Sequence, residues 1–219
     1  MRVKVKICGI KTPEALQAAL AARADFVGLV FYPPSPRSLA PEVAAELAEL
    51  ARGRASVVAL IVDADDATIE RIVRTVEPDL LQIHGSETPE RAAEIVRRWG
   101  RPVIKAIKVE NAGDAARALD YAGVAQLILF DAKAPKDLAG ALPGGNGLAF
   151  DWRLIAAVKD RVPFMLSGGL TPDNVAAAIA ATGATTVDVS SGVETAPGVK
   201  SPDLIRQFVA AAHASHVPA

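Results

Sequence analysis

Short apolar runs rich in Val, Ile, Leu and Phe recur along the chain, at 3–8, 26–31, 56–62, 80–84, 102–109, 126–131, 163–167 and 186–190. Runs of this length, bounded by turn residues, read as strands covered on both faces. Between them lie alanine-rich, charged segments with helical spacing, such as 40–52, 66–76 and 89–99. Strand then helix, eight times over, predicts parallel strands joined by crossover helices. Thr12-Pro13-Glu14, Ala40-Pro41-Glu42, Thr88-Pro89-Glu90, Thr171-Pro172-Asp173 and Ser201-Pro202-Asp203 each precede a helical segment. In four of the five a hydroxyl can cap the first free N–H groups. Proline follows where its missing N–H costs nothing, and an acid faces the positive end of the helix dipole.

The fold this predicts is α/β, a single-domain (β/α)8 TIM barrel over residues 1–219. A doubly wound open sheet is the alternative, but its G-x-G-x-x-G fingerprint is missing after the first strand, where Cys8-Gly9-Ile10-Lys11 stands. The glycine-rich stretch 133–150 follows the sixth strand and reads as an active-site loop, not a domain boundary.

Composition narrows the function. With 24 basic and 25 acidic residues the net charge is -1, so no basic excess points to nucleic acid. The longest uncharged stretch, 174–187, contains Gly183 and several threonines and is too short and polar to span a bilayer. Charges alternate with apolar residues from Arg2 to Lys6, unlike a signal peptide. The lone cysteine, Cys8, excludes an internal disulfide and fits a reducing compartment. A cytoplasmic protein without membrane or nucleic-acid partners is expected. Monomer and homodimer both remain open.

Barrel chemistry sits at the C-terminal strand ends and in the loops that follow. Alternation puts Lys4, Lys6 and Cys8 inside the barrel, with Cys8 at its mouth. Cys8 reads either as a small buried hydrophobe or as a reactive thiol whose thiolate the lysines favour. Asp131 ends the apolar sixth strand, as a turn cap or as a general acid with raised proton affinity. Gly168-Gly169 and Ser191-Gly192 follow the seventh and eighth strands, where barrels bind phosphate, and a helix starting near Thr171 would add its dipole. Three prolines in 33–36 stiffen the loop carrying Arg37, whose guanidinium suits a carboxylate bidentately. His84 ends the fourth strand and either orients substrate or bonds within the rim. His213 and His216 read as an uninvolved tail. No metal site is expected, and Asp63, Asp65 and Asp66 read as helix caps.

Lys6-Ile7-Cys8-Gly9-Ile10, Gly28-Leu29-Val30-Phe31 with Ser35-Pro36-Arg37, Gln82-Ile83-His84-Gly85, Leu129-Phe130-Asp131, Ser167-Gly168-Gly169-Leu170 and the run from Val187 to Glu194 together resemble the phosphoribosylanthranilate isomerase family. The resemblance runs from the first strand to the eighth. It implies an Amadori rearrangement in tryptophan biosynthesis that converts N-(5-phosphoribosyl)anthranilate to 1-(2-carboxyphenylamino)-1-deoxyribulose 5-phosphate. Cys8 then matches the family's general base and Asp131 its general acid. Arg37 matches the arginine for the anthranilate carboxylate, and the two glycine loops match the phosphate site. Only protons move, so no cofactor is implied. Two rivals are a histidine-pathway phosphoribosyl isomerase, expected to carry an aspartate in place of Cys8, and a non-catalytic phosphosugar-binding barrel.

Overall fold

A computed structural model describes residues 2–133 and 142–215. Part of the predicted loop 133–150, and His216, therefore lie outside the described residues. Eight parallel strands, β1 (Lys4–Cys8), β2 (Phe26–Phe31), β3 (Ser56–Ile61), β4 (Leu80–Ile83), β5 (Val103–Val109), β6 (Leu127–Ala132), β7 (Phe164–Leu166) and β8 (Thr186–Val189), pair in chain order and close into a barrel through β8 and β1. Closure excludes the open-sheet alternative.

The outward strand faces pack on the helices. Ile7, Leu29, Ile61, Leu81 and Phe130 are all nearly or fully buried there, together with Leu16, Ile69, Ile95 and Phe208. Inside the barrel, Val58, Leu80, Ile104, Ala106, Leu129 and Met165 form a separate apolar plug, the filled interior expected of eight strands. Lys6, Gln82 and Asp188 share this inward face and are also buried. Nearer the mouth, Cys8, Val30 and Leu60 cluster with Tyr32 and Val62. The site therefore rests on a solid base.

The outer layer comprises α1 (Pro13–Ala21), α2 (Pro41–Ala51), α3 (Asp66–Val76), α4 (Pro89–Trp99), α5 (Ala112–Ala116), α6 (Val175–Thr182) and α7 (Pro202–Ala214). Thr12, Thr88 and Ser201 accept from backbone N–H groups as caps, and Asp65 does the same for α3. Of its two neighbours, Asp63 instead accepts from Ser86, and Asp66 pairs with Arg91 and Arg98.

Three expectations are corrected. Between β6 and β7 the described residues hold a short 3₁₀ turn, Trp152–Ile155, in place of a full helix. Its i→i+3 bonds continue through Val158 and Arg161. Thr171-Pro172-Asp173 does not open α6. The Asn174 side chain accepts from Thr171 N–H at 2.8 Å and donates to Gly169 O at 3.0 Å, holding a turn that delays the helix to Val175. His213 lies on α7, not in a tail, and its Nε2 meets the Arg2 guanidinium at 2.9 Å.

Candidate active site

The C-terminal strand ends open into one pocket. Cys8, Arg37, His84, Asp131, Gly168, Gly169, Ser191 and Gly192 all line it. The eight positions singled out from the sequence are thus brought to one place. Cys8 and Asp131 come from β1 and β6, which are not neighbours in the barrel, so they approach the pocket from different sides.

Cys8 is 4% exposed. Gly28, its partner across β1 and β2, leaves room for it: a Cβ there would lie 2.9 Å from Cys8 Sγ and 3.3 Å from Lys6 Cε. The sequence argument expects Lys4 and Lys6 to favour thiolate. Lys4 is instead exposed at the other end of the strand. Lys6 is fully buried and pairs with Asp188 at 2.8 Å, while Asp188 also accepts from Ser167 Oγ at 3.0 Å. Burial pushes the Cys8 thiol above its ordinary pKa, and the attraction of Lys6 and Lys200 offsets this only partly. Asp188 adds to the rise. The free protein therefore holds a thiol. Burial opposes the Lys6 charge, yet Asp188 and Cys8 together leave its pKa raised.

Asp131 is 6% exposed, and its Oδ1 accepts from Ala132 N–H at 2.9 Å. Its Oδ2 lies 3.3 Å from His84 Nε2. The Gln82 amide meets His84 Nδ1 at 3.0 Å. With that amide donating, the imidazole carries its own proton on Nε2, facing Asp131. Gly144 closes over the pair, because a Cβ there would come within 2.7 Å of both Asp131 Oδ2 and His84 Cε1.

The two glycine loops are held by close backbone approach. Gly168 and Gly169 have φ of +84° and +62°, and a Cβ on either would strike the backbone nitrogen of Ala132 or Ala149. A Cβ on Gly192 would lie 1.9 Å from Leu170 O, so the loops after β7 and β8 touch directly. A 3₁₀ turn at Ser191–Val193 leads into the hairpin β9 (Glu194–Ala196) and β10 (Val199–Lys200).

Arg37 is buried rather than solvated, and one edge of its guanidinium is already committed. Its Nε and Nη2 each donate to Glu194 at 2.8 Å, and Nη2 also reaches Gly145 O at 3.2 Å. The expected bidentate grip on a substrate carboxylate is thus taken up by Glu194, leaving the Nη1 side. Lys200, equally enclosed, donates to Glu194 at 2.7 Å and to Ser190 O at 2.9 Å. Sequence reasoning missed Glu194, Lys200, Ser167 and Gln82 as parts of the site. Glu194 stands in a motif noted in the sequence, but nothing local marks its partner 157 residues away.

A closed (β/α)8 barrel with a thiol and a carboxylate opening into one pocket at its C-terminal rim belongs among the barrel enzymes. The family model described as N-(5'phosphoribosyl)anthranilate (PRA) isomerase matches residues 5–211. An N-(5'-phosphoribosyl)anthranilate isomerase of Rhodopseudomonas palustris is 57% identical over 215 residues, covering 98% of each chain. One of Parvibaculum lavamentivorans is 52% identical, covering 97% of this chain and 99% of its own. The crystal structure of the Thermotoga maritima phosphoribosyl anthranilate isomerase superposes with a TM-score of 0.86 at 38% identity, covering 96% and 98% of the two chains. Another solved isomerase, with a TM-score of 0.83 and 37% identity over 96% and 98% of the chains, holds reduced 1-(o-carboxyphenylamino)-1-deoxyribulose 5-phosphate. The chain belongs to the N-(5'-phosphoribosyl)anthranilate isomerase family.

Proposed function

We infer that this chain catalyses the reaction its family is named for, the Amadori rearrangement of N-(5-phosphoribosyl)anthranilate to 1-(2-carboxyphenylamino)-1-deoxyribulose 5-phosphate. The observation that carries the residue roles is the placement of Cys8 and Asp131 in one pocket, with glycine loops and Arg37 on its walls. Opening the furanose requires a proton on the ring oxygen as the C1′–O bond breaks and the nitrogen lone pair forms a Schiff base. Asp131 supplies that proton as general acid. Removal of the C2′ proton then gives an enolamine, which tautomerises to the ketone. Cys8 as thiolate takes this second proton.

A thiol pushed up by burial means that the required ionic form is a minor one in the free protein. Its reactivity per thiolate is correspondingly high, since a more basic thiolate is the stronger base. His84, beside Asp131, faces substrate. Gly168, Gly169, Ser191 and Gly192 offer backbone N–H groups to the phosphate, which anchors the far end and holds the reacting carbons in place. Arg37 receives the anthranilate carboxylate. The unpaired thiol of Cys8 suits the cytoplasm. Among the described residues no helix is long and apolar enough to cross a membrane.

The test follows anthranilate fluorescence after mixing protein with freshly made N-(5-phosphoribosyl)anthranilate. Cys8→Ala and Asp131→Asn should each lower kcat by about 10²–10⁴-fold, the usual worth of a positioned acid or base. An undiminished rate in either variant would remove that residue from the mechanism. No turnover by folded wild-type protein would remove the activity itself.

A further inference from the structure

Arg37 lies in a loop, yet its side chain is only 6% exposed and that of Glu194 only 4%. The Glu194 carboxylate accepts from four donors: Arg37 Nε and Nη2, Lys200 Nζ, and Gly198 N–H at 3.2 Å. Lys200 Nζ in turn faces three acceptors, Glu194 Oε1, Ser190 O and Ser190 Oγ. Three acceptors around one nitrogen is the pattern of a protonated ammonium. Two buried basic groups thus share one carboxylate, and burial pulls the Lys200 pKa below its ordinary value while Glu194 opposes the fall. Arg37 itself lines the pocket, and neither the Glu194 carboxylate nor Gly145 O takes up its Nη1 donors. A guanidinium clamped along one edge by a short, doubly bonded pair has little rotamer freedom left to lose when it binds.

We propose that Glu194 is a positioning residue for carboxylate recognition: it fixes the Arg37 guanidinium so that Nη1 meets the anthranilate carboxylate. This rests on the reading of Arg37 given above. Glu194 acts through Arg37 and takes no part in proton transfer. Its removal should therefore weaken binding and leave the chemical steps intact.

The experiment compares two substrates, N-(5-phosphoribosyl)anthranilate and N-(5-phosphoribosyl)aniline, which lacks the carboxylate, in wild type, Arg37→Met and Glu194→Gln. Glu194→Gln should raise KM for the anthranilate compound at least about tenfold, the effect of losing one charge-assisted hold, with kcat changed less than about threefold. KM for the aniline compound should not move. Equal losses on both substrates, or a fall in kcat alone, would overturn the proposal. If Arg37→Met itself fails to discriminate the substrates, the Arg37 reading fails first and carries the proposal down with it. Should Glu194→Gln not fold, Glu194→Asp keeps the charge but draws the carboxylate back from the guanidinium, and it must give a KM-only, carboxylate-only loss in the same direction.

Discussion

Gly192→Ala isolates the contact between the two glycine loops. A Cβ on Gly192 would sit 1.9 Å from Leu170 O and 3.0 Å from Leu170 C. Its backbone is not in the left-handed region, so the penalty is one of space. The obstacle is a backbone carbonyl, which cannot swing aside as a long side chain can. Bringing that gap to an ordinary carbon–oxygen contact of about 3.3 Å requires the loops to part by more than an ångström. Misplacement on this scale costs on the order of 10²-fold in rate even at a distance from the chemistry. The assay is steady-state turnover followed by anthranilate fluorescence, with inorganic phosphate as a competing ligand and a thermal melt run alongside. Expected is a loss of about 10²-fold in kcat/KM, with phosphate inhibition weakened in parallel and cooperative unfolding retained. An alanine enzyme with wild-type kcat/KM and wild-type phosphate inhibition would refute the idea that the contact shapes a phosphate site.

Two further tests concern buried charge. Thiolate absorbance in the ultraviolet, measured against a Cys8→Ser blank, should appear only above the ordinary thiol range, because burial holds the proton on. A transition at or below about pH 8.5 would contradict the burial argument. Lys6→Met strands Asp188 inside the barrel and should destabilise the protein by about 3–5 kcal/mol, with Asp188→Asn recovering part of the loss. The Lys6 pKa is raised on folding, so its contribution is fully present below the unfolded value of 10.5 and is lost as pH rises through the higher folded value. Urea unfolding should therefore show a gap between wild type and Lys6→Met that is constant near neutrality and narrows above pH 10.5. A gap that narrows at neutral pH would assign the effect to packing or to another group.

The barrel was legible because its signals are local and repeated. Phe26–Phe31, Asp66–Val76 and Pro89–Trp99 match the sequence reading to the residue, each bounded by a turn, a cap or a proline. The start of α6 was not legible. Thr171-Pro172-Asp173 has the same form as the true cap at Thr88, but here the Asn174 side chain, bonded to Thr171 N–H and Gly169 O, takes up the turn. The positions at the mouth could be read from strand ends, since parallel strands in a closed barrel all finish on one rim. Their partners could not. Lys6 meets Asp188 across 182 positions, and Arg37 meets Glu194 across 157. Alternation along β1 says that Lys6 points inward, but β8 decides that it pairs with a carboxylate, so that its pull on the thiol only partly offsets the effect of burial.

The placement of Cys8 also bears on how the protein meets oxidants. Peroxides and alkylating electrophiles attack thiolates that solvent can reach. Cys8 is nearly enclosed, and its proton is held on by burial. That sulfur therefore lacks both features that guide oxidative damage. Peroxide would consume exposed, low-pKa cysteines of other proteins before reaching this one.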